Sequence, residues 1–123
     1  MLSMNGFEVM RTDNLDVSTL YLKGYLDAHT YPNFESELQK LVDEKRYKII
    51  VDFKELSYIS SAGLGVFMGF IETVRENEGD IKLCSMSQKV FKVFDLLGFP
   101  TIYQIVKDTD EAHQKFVVGE RIK

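Results

Sequence analysis

The run YKIIVDF, Tyr47 to Phe53, constrains the fold more than any other stretch. Its apolar residues sit on consecutive positions instead of alternating, so a strand built from it carries apolar side chains on both faces. Such a strand belongs in the middle of a parallel sheet with helices covering it.

The flanking chain supplies those helices and more strands. Phe7 to Met10 and Ser18 to Lys23 are short, β-favouring runs separated by the polar stretch Arg11 to Asp16, a hairpin-like connection. After Gly24 the spacing becomes helical: Thr30 is placed to cap, Pro32 fits the first turn, and Phe34, Leu38, Leu41 and Val42 recur on one side as far as about Glu44. A second helix is expected from Ser61 to about Glu76, stopped by Gly79. A strand follows, Asp80 to Met86, then a third helix capped by Ser87, carrying Val90, Phe91, Phe94 and Leu97 and closed by Gly98 and Pro100. A last strand, Thr101 to Val106, leads into a helix that begins at Asp108 or Thr109 and ends at Gly119. Two strands followed by repeated helix and strand predict an α/β sandwich with a mainly parallel central sheet and about four helices. One domain over residues 1–123 is expected, since 123 residues with 45% hydrophobic content suffice for one full core.

Charge and composition narrow the function. A formal net charge of −4, with no basic block, argues against nucleic acid as a partner. No apolar run approaches the roughly 20 residues of a membrane span, and Met1 to Asn5 lack the basic and apolar regions of a secretory signal. A cytoplasmic location is the expectation. The single cysteine, Cys84, has apolar neighbours and reads as a buried, inert thiol. His29 and His113 are too few and too scattered for a zinc site, and no motif calls for a cofactor.

One stretch departs from this plain pattern: YISSAGLGVF, Tyr58 to Phe67, where two hydroxyls precede a run of small residues. The helix it opens is apolar nearly all round, yet Gly63, Gly65 and Gly69 would each cost about 1 kcal/mol relative to alanine. Close approach of the helix to the sheet, or of a partner to the helix, would offset that cost. Ser61 stands at the strand-to-helix junction and is expected to be the N-cap; by position alone it is a structural cap or a modifiable hydroxyl. Phe67 and Ile71 are expected in the core, with partner contact at exposed positions near the helix start.

The segment VDFKELSYISSAGLGVF, Val51 to Phe67, resembles the hallmark of the STAS-domain anti-sigma-factor antagonists of bacteria. GYLDAHT, Gly24 to Thr30, is similar to that family's upstream Gly-x-Leu-Asp motif, and FKVFDLLGF, Phe91 to Phe99, is similar to its glycine-ended third helix. The resemblance implies a STAS-like sandwich and a partner-switching regulator of transcription, not an enzyme. An unmodified antagonist of this kind binds an anti-sigma factor that is also a serine kinase with a histidine-kinase-like ATPase fold, and so frees a sigma factor. The kinase phosphorylates the antagonist and a metal-dependent serine phosphatase restores it. Carried onto this chain, the phosphoacceptor is Ser61; Ser60, which departs from the aspartate many members have there, offers a competing hydroxyl and ranks second. The implied partner-binding residues are Asp27, Ser60, Ser61, Ala62, Gly63, Leu64 and Met68, with the loop Tyr25 to His29 as an extension. Asp27 reads equally as a loop carboxylate accepting backbone N–H groups. A monomer is the simplest state for such a domain.

Other classes fit less well. Ser61 lacks the Gly-x-Ser-x-Gly elbow of a hydrolase nucleophile. Asp52 follows a parallel-type strand as a receiver's phosphoaccepting aspartate would, but the first strand is not followed by paired acids for magnesium, so Asp52 reads as a strand-end residue holding a turn. The glycine spacing matches neither phosphate-binding fingerprint. A STAS interaction module that is never phosphorylated, or a small-ligand or nucleotide-binding domain, remains the alternative.

Overall fold

The computed structural model describes residues 6–122, with side chains as far as Val117. Five strands form one sheet in the order β1-β2-β3-β4-β5: β1 Phe7–Asn14, β2 Val17–Leu26, β3 Lys48–Ile59, β4 Asp80–Cys84 and β5 Ile105–Val106. Only the β1 and β2 pair is antiparallel; the other three ladders are parallel. Each parallel step is bridged by a helix, α1 Tyr31–Asp43, α2 Ser61–Glu76 and α3 Gln88–Leu96, and α4 Thr109–Ile122 closes the chain. The α/β architecture expected from the order of elements is the one observed.

The central strand sorts its apolar residues as the sequence pattern requires. Ile49, Val51 and Phe53 point into the larger core, where they meet Phe34 and Leu38 of α1, Phe67 and Val74 of α2, and Phe94 of α3. Ile50 points the other way, into a smaller cluster with Val17, Cys84 and, from α4, Ala112 and Phe116. Helices thus cover both faces of β3, so its consecutive apolar residues are all satisfied. Phe67 is the hub of the larger core: its ring lies 5.0 Å from Phe34, 5.8 Å from Phe53, 5.9 Å from Phe94 and 6.1 Å from Tyr103. Phe67 and Ile71 are buried, as their spacing predicts.

Several boundaries differ from expectation: β2 runs Val17–Leu26 and β4 stops at Cys84, and four more differences bear on the site or the core. The hairpin connection is not a six-residue loop: β1 runs to Asn14, opposite Val17, and only Leu15 and Asp16 turn the chain. Polar residues on an exposed edge strand hide that continuation from a pattern search. β3 runs six residues beyond Phe53, so Asp52 lies within the strand instead of at its end. Past Asp52 it has no β4 neighbour and pairs with β2 alone, which leaves Lys54 and Glu55 in solvent and breaks the apolar run.

The expected strand from Thr101 shrinks to Ile105–Val106. The residues before it form a 3-10 turn, Phe99–Thr101, and Tyr103 leaves the ladder to bury its ring and donate its hydroxyl to the Phe67 carbonyl at 2.7 Å. Gly119 does not end the last helix, which continues to Ile122.

Candidate functional site

The long β3 carries the serine pair to the end of the sheet. Its last residues run beside β2 with Tyr25 opposite Tyr58 and Leu26 opposite Ile59. The Ser60 N–H then donates to the Leu26 carbonyl at 2.9 Å, so Asp27 and Ser60 leave their strands side by side. Two motifs separated by some thirty residues in sequence meet at one edge.

Ser60, not Ser61, occupies the N-cap of α2. Its backbone is still extended (φ −104°, ψ 174°), because it is still following the ladder, while its carbonyl accepts the first helical bond from the Leu64 N–H at 3.0 Å. The expectation that Ser61 caps the helix is therefore corrected: Ser61 is the first helical residue. The Ser60 hydroxyl does not cap either. It is buried and has no hydrogen-bond partner. Ser61 is exposed, at the positive end of the helix.

The glycines divide by what surrounds them. A Cβ on Gly63 would stand 2.7 Å from Leu26 Cγ and 3.1 Å from Ile59 Cγ1, so the bare backbone lets α2 press onto the strand ends. At Gly65 and Gly69 a Cβ would meet nothing within 4 Å. Those two, with Met68, half-buried Ala62 and Ser61, give α2 an exposed face almost without side-chain relief. Of the residues expected at the site, Gly63 and Leu64 are buried and act from beneath; Ser61 and Met68 are open to solvent.

Asp27 holds the adjoining loop. Its Oδ1 accepts from the N–H groups of His29 (2.9 Å) and Thr30 (3.2 Å). These bonds, that of His29 first, hold its carboxyl below the usual carboxylate range. Thr30 is fully buried and makes no capping bond for α1; its hydroxyl donates to the Tyr25 carbonyl at 2.8 Å and accepts from the Asp27 N–H at 2.9 Å. Of the two readings of Asp27, the local one is what the geometry displays, and it fixes the loop that borders Ser60.

Sequence reasoning missed Gly65 and Gly69 as surface residues, and it missed Tyr58, about half exposed and in register with Tyr25. The Tyr58 partner becomes legible only once β3 is known to reach Ile59. Asp52 is buried elsewhere: its carboxylate accepts from the Ser85 hydroxyl and the Lys54 N–H, both at 2.9 Å, and from the Cys84 thiol at 3.7 Å. Among the described residues, neither histidine ring hydrogen-bonds to Ser61, and no helix is long and apolar enough to cross a membrane.

Residues 8–112 match the family model described as the STAS domain. The chain is 30% identical over 94 residues to an anti-sigma-B factor antagonist of Listeria monocytogenes, covering 76% of this chain and 80% of that one. Its fold superposes on the crystal structure of an anti-sigma factor antagonist from Mycobacterium paratuberculosis with a TM-score of 0.84 at 18% identity, covering 93% and 97% of the two chains. The Bacillus cell fate determinant SpoIIAA in its phosphorylated form aligns with a TM-score of 0.67 at 20% identity, over 88% of this chain and 97% of that one.

Proposed function

The chain belongs to the STAS domain family, and on that premise we propose that it is an anti-sigma factor antagonist switched off by phosphorylation of Ser61. It works in the cytoplasm as a monomeric single domain and acts by binding, not by catalysis. Unmodified, it docks on an anti-sigma factor serine kinase with a histidine-kinase-like ATPase fold and releases a sigma factor; a serine phosphatase restores the modified form.

The observation that carries this reading is the division of labour between the two serines. Ser61 is exposed on the first turn of α2, whereas the Ser60 oxygen is buried. A transferase reaches the first and not the second, which ranks Ser61 above Ser60. Docking uses the flat face of Ser61, Ala62, Gly65, Met68 and Gly69, with Asp27 and its loop at the border. Gly63 and Leu64 set the height of that face above the sheet.

A phosphate on Ser61 adds about −1.5 to −2 charge at a helix start that tolerates anions, so the fold survives modification. At the interface the same charge is costly. One partner carboxylate about 4 Å away repels each added charge by about 4 kcal/mol at an effective dielectric near 20. Since about 1.4 kcal/mol is tenfold in affinity, a fraction of this empties the complex.

The test is to mix the protein with ATP and the anti-sigma factor kinase, then read intact mass, phosphopeptides and binding. Ser61→Ala should bind and stay unlabelled, and Ser61→Asp should fold but fail to bind. Phosphate found on another residue, with Ser61→Ala still labelled, overturns the assignment.

A further inference from the structure

β3 does not keep one register against β2. Tyr21 lies opposite Asp52, but Lys23 lies opposite Glu55 and Tyr25 opposite Tyr58, so β3 twice inserts an extra residue. The first slip sets Phe53 and Lys54 against Leu22 alone, and the second leaves Ser57 over. The core records both. Val51 and Phe53 are two apart, as in a regular strand, but the next buried residues, Leu56 and Ile59, each come three further on. In the register that Tyr21 and Asp52 keep, Leu26 would face Ser57. The two slips bring it to Ile59, which is what lets the Ser60 N–H reach the Leu26 carbonyl.

Asp52 stands at the first slip, where the β4 ladder also ends with Cys84 opposite it. It is only 7% exposed, and its carboxylate bonds to both sides of this branch point. Oδ1 accepts from the Lys54 N–H at 2.9 Å, inside the bulge. Oδ2 accepts from the Ser85 hydroxyl at 2.9 Å, where the chain leaves β4 at a positive φ of 64°, and from the Cys84 thiol at 3.7 Å. An aspartate that accepts the N–H two residues ahead closes a ring on the backbone and holds a kink that a plain strand would straighten.

We propose that Asp52 is a positioning residue for the switch: its bond to the Lys54 N–H pins the first bulge and so fixes the register that sets Ser60 and Ser61 beside Asp27. Asp52 has no bond to either serine and acts through the strand between them. Without the acceptor, the tail of β3, which pairs with β2 alone, slips or opens locally. The consequence for phosphorylation rests on the antagonist function proposed for Ser61; the placement of the serines does not.

The test compares Asp52→Ala, which removes the acceptor, with Asp52→Asn, which keeps one, and with Ser85→Gly, which removes only the Ser85 bond and relaxes the positive φ. Amide exchange is followed by NMR at Ser60 and at Ile50, together with KM and kcat for labelling of Ser61 by the anti-sigma factor kinase. In Asp52→Ala the Ser60 amide should exchange at least about tenfold faster, amide shifts should move at Asp27 and Ser61, and KM should rise with kcat little changed. Asp52→Asn and Ser85→Gly should keep the wild-type Ser60 exchange and KM. Faster exchange at Ile50 without it at Ser60 means lost stability alone and overturns the proposal. So does an unchanged KM once Ser60 exchange has risen, or a Ser60 amide disturbed in Asp52→Asn or Ser85→Gly. Should Asp52→Ala not fold, these last two variants decide the matter. A wild type left unlabelled at Ser61 would overturn the antagonist function, and the exchange measurement would still decide the placement.

Discussion

Ser60 and Ser61 are adjacent in the chain and opposite in environment: the Ser60 oxygen is buried without a partner, and Ser61 stands in solvent one residue into α2. The reason is the end of β3. Ser60 still obeys strand geometry and its oxygen is enclosed, and Ser61 is the first residue to obey helical geometry.

That orphan hydroxyl sets the first expectation. A serine cap that makes its bond loses about 1 kcal/mol on change to alanine. Ser87 is such a cap, since its oxygen accepts from the Val90 N–H at 3.1 Å, and Ser87→Ala should show that loss. Ser60→Ala removes a buried group with nothing bonded to it, so urea denaturation should show a change below about 0.5 kcal/mol, or a gain. A loss like that of Ser87→Ala would mean the Ser60 hydroxyl is bonded after all.

The three glycines of α2 should part company. Gly63→Ala forces a methyl against Leu26 Cγ at 2.7 Å, a branch point held by the packing of a fully buried side chain, and should destabilise by about 1–3 kcal/mol. Gly65→Ala and Gly69→Ala meet open space and should each stabilise by about 0.5–1 kcal/mol, since alanine is the better helix former. If α2 presents its flat face to the kinase, the two stabilised variants should bind it less well. Unchanged affinity in both would remove them from the docking face.

Asp27 ties the border of the site to acidity. Its folded carboxyl lies below the unfolded value of about 3.9, chiefly through the His29 N–H. Its stabilisation is therefore complete above the unfolded value and is lost as pH falls through the lower folded one. The difference in unfolding free energy between the wild type and Asp27→Asn should hold at neutral pH and shrink below about pH 4. A difference that stays constant across that window would show that the charge contributes nothing.

Cys84 should be silent. Burial pushes its thiol up to about 12, and no part of the side chain is exposed. Iodoacetamide at about pH 8 should leave the folded protein unmodified and alkylate it fully in denaturant, because only the thiolate reacts. Rapid native labelling would place Cys84 at a surface.

Much of this was legible in the chain. The unbroken apolar run of β3, the helical repeats of Phe34 and Leu38 or of Val90 and Phe94, and the Ser87 cap are local signals, because burial on a sheet face or a helix stripe writes itself into residue spacing. The motif around Ser61 and the Gly-x-Leu-Asp stretch were legible as separate words. Their meeting was not, since it depends on the register that sets Leu26 against Ile59. Nor could spacing tell Ser60 from Ser61, or Gly63 from Gly65. Neighbours in sequence carry the same local propensities, and only the packing of a strand end beneath a helix start decides which serine is sealed and which is open to solvent.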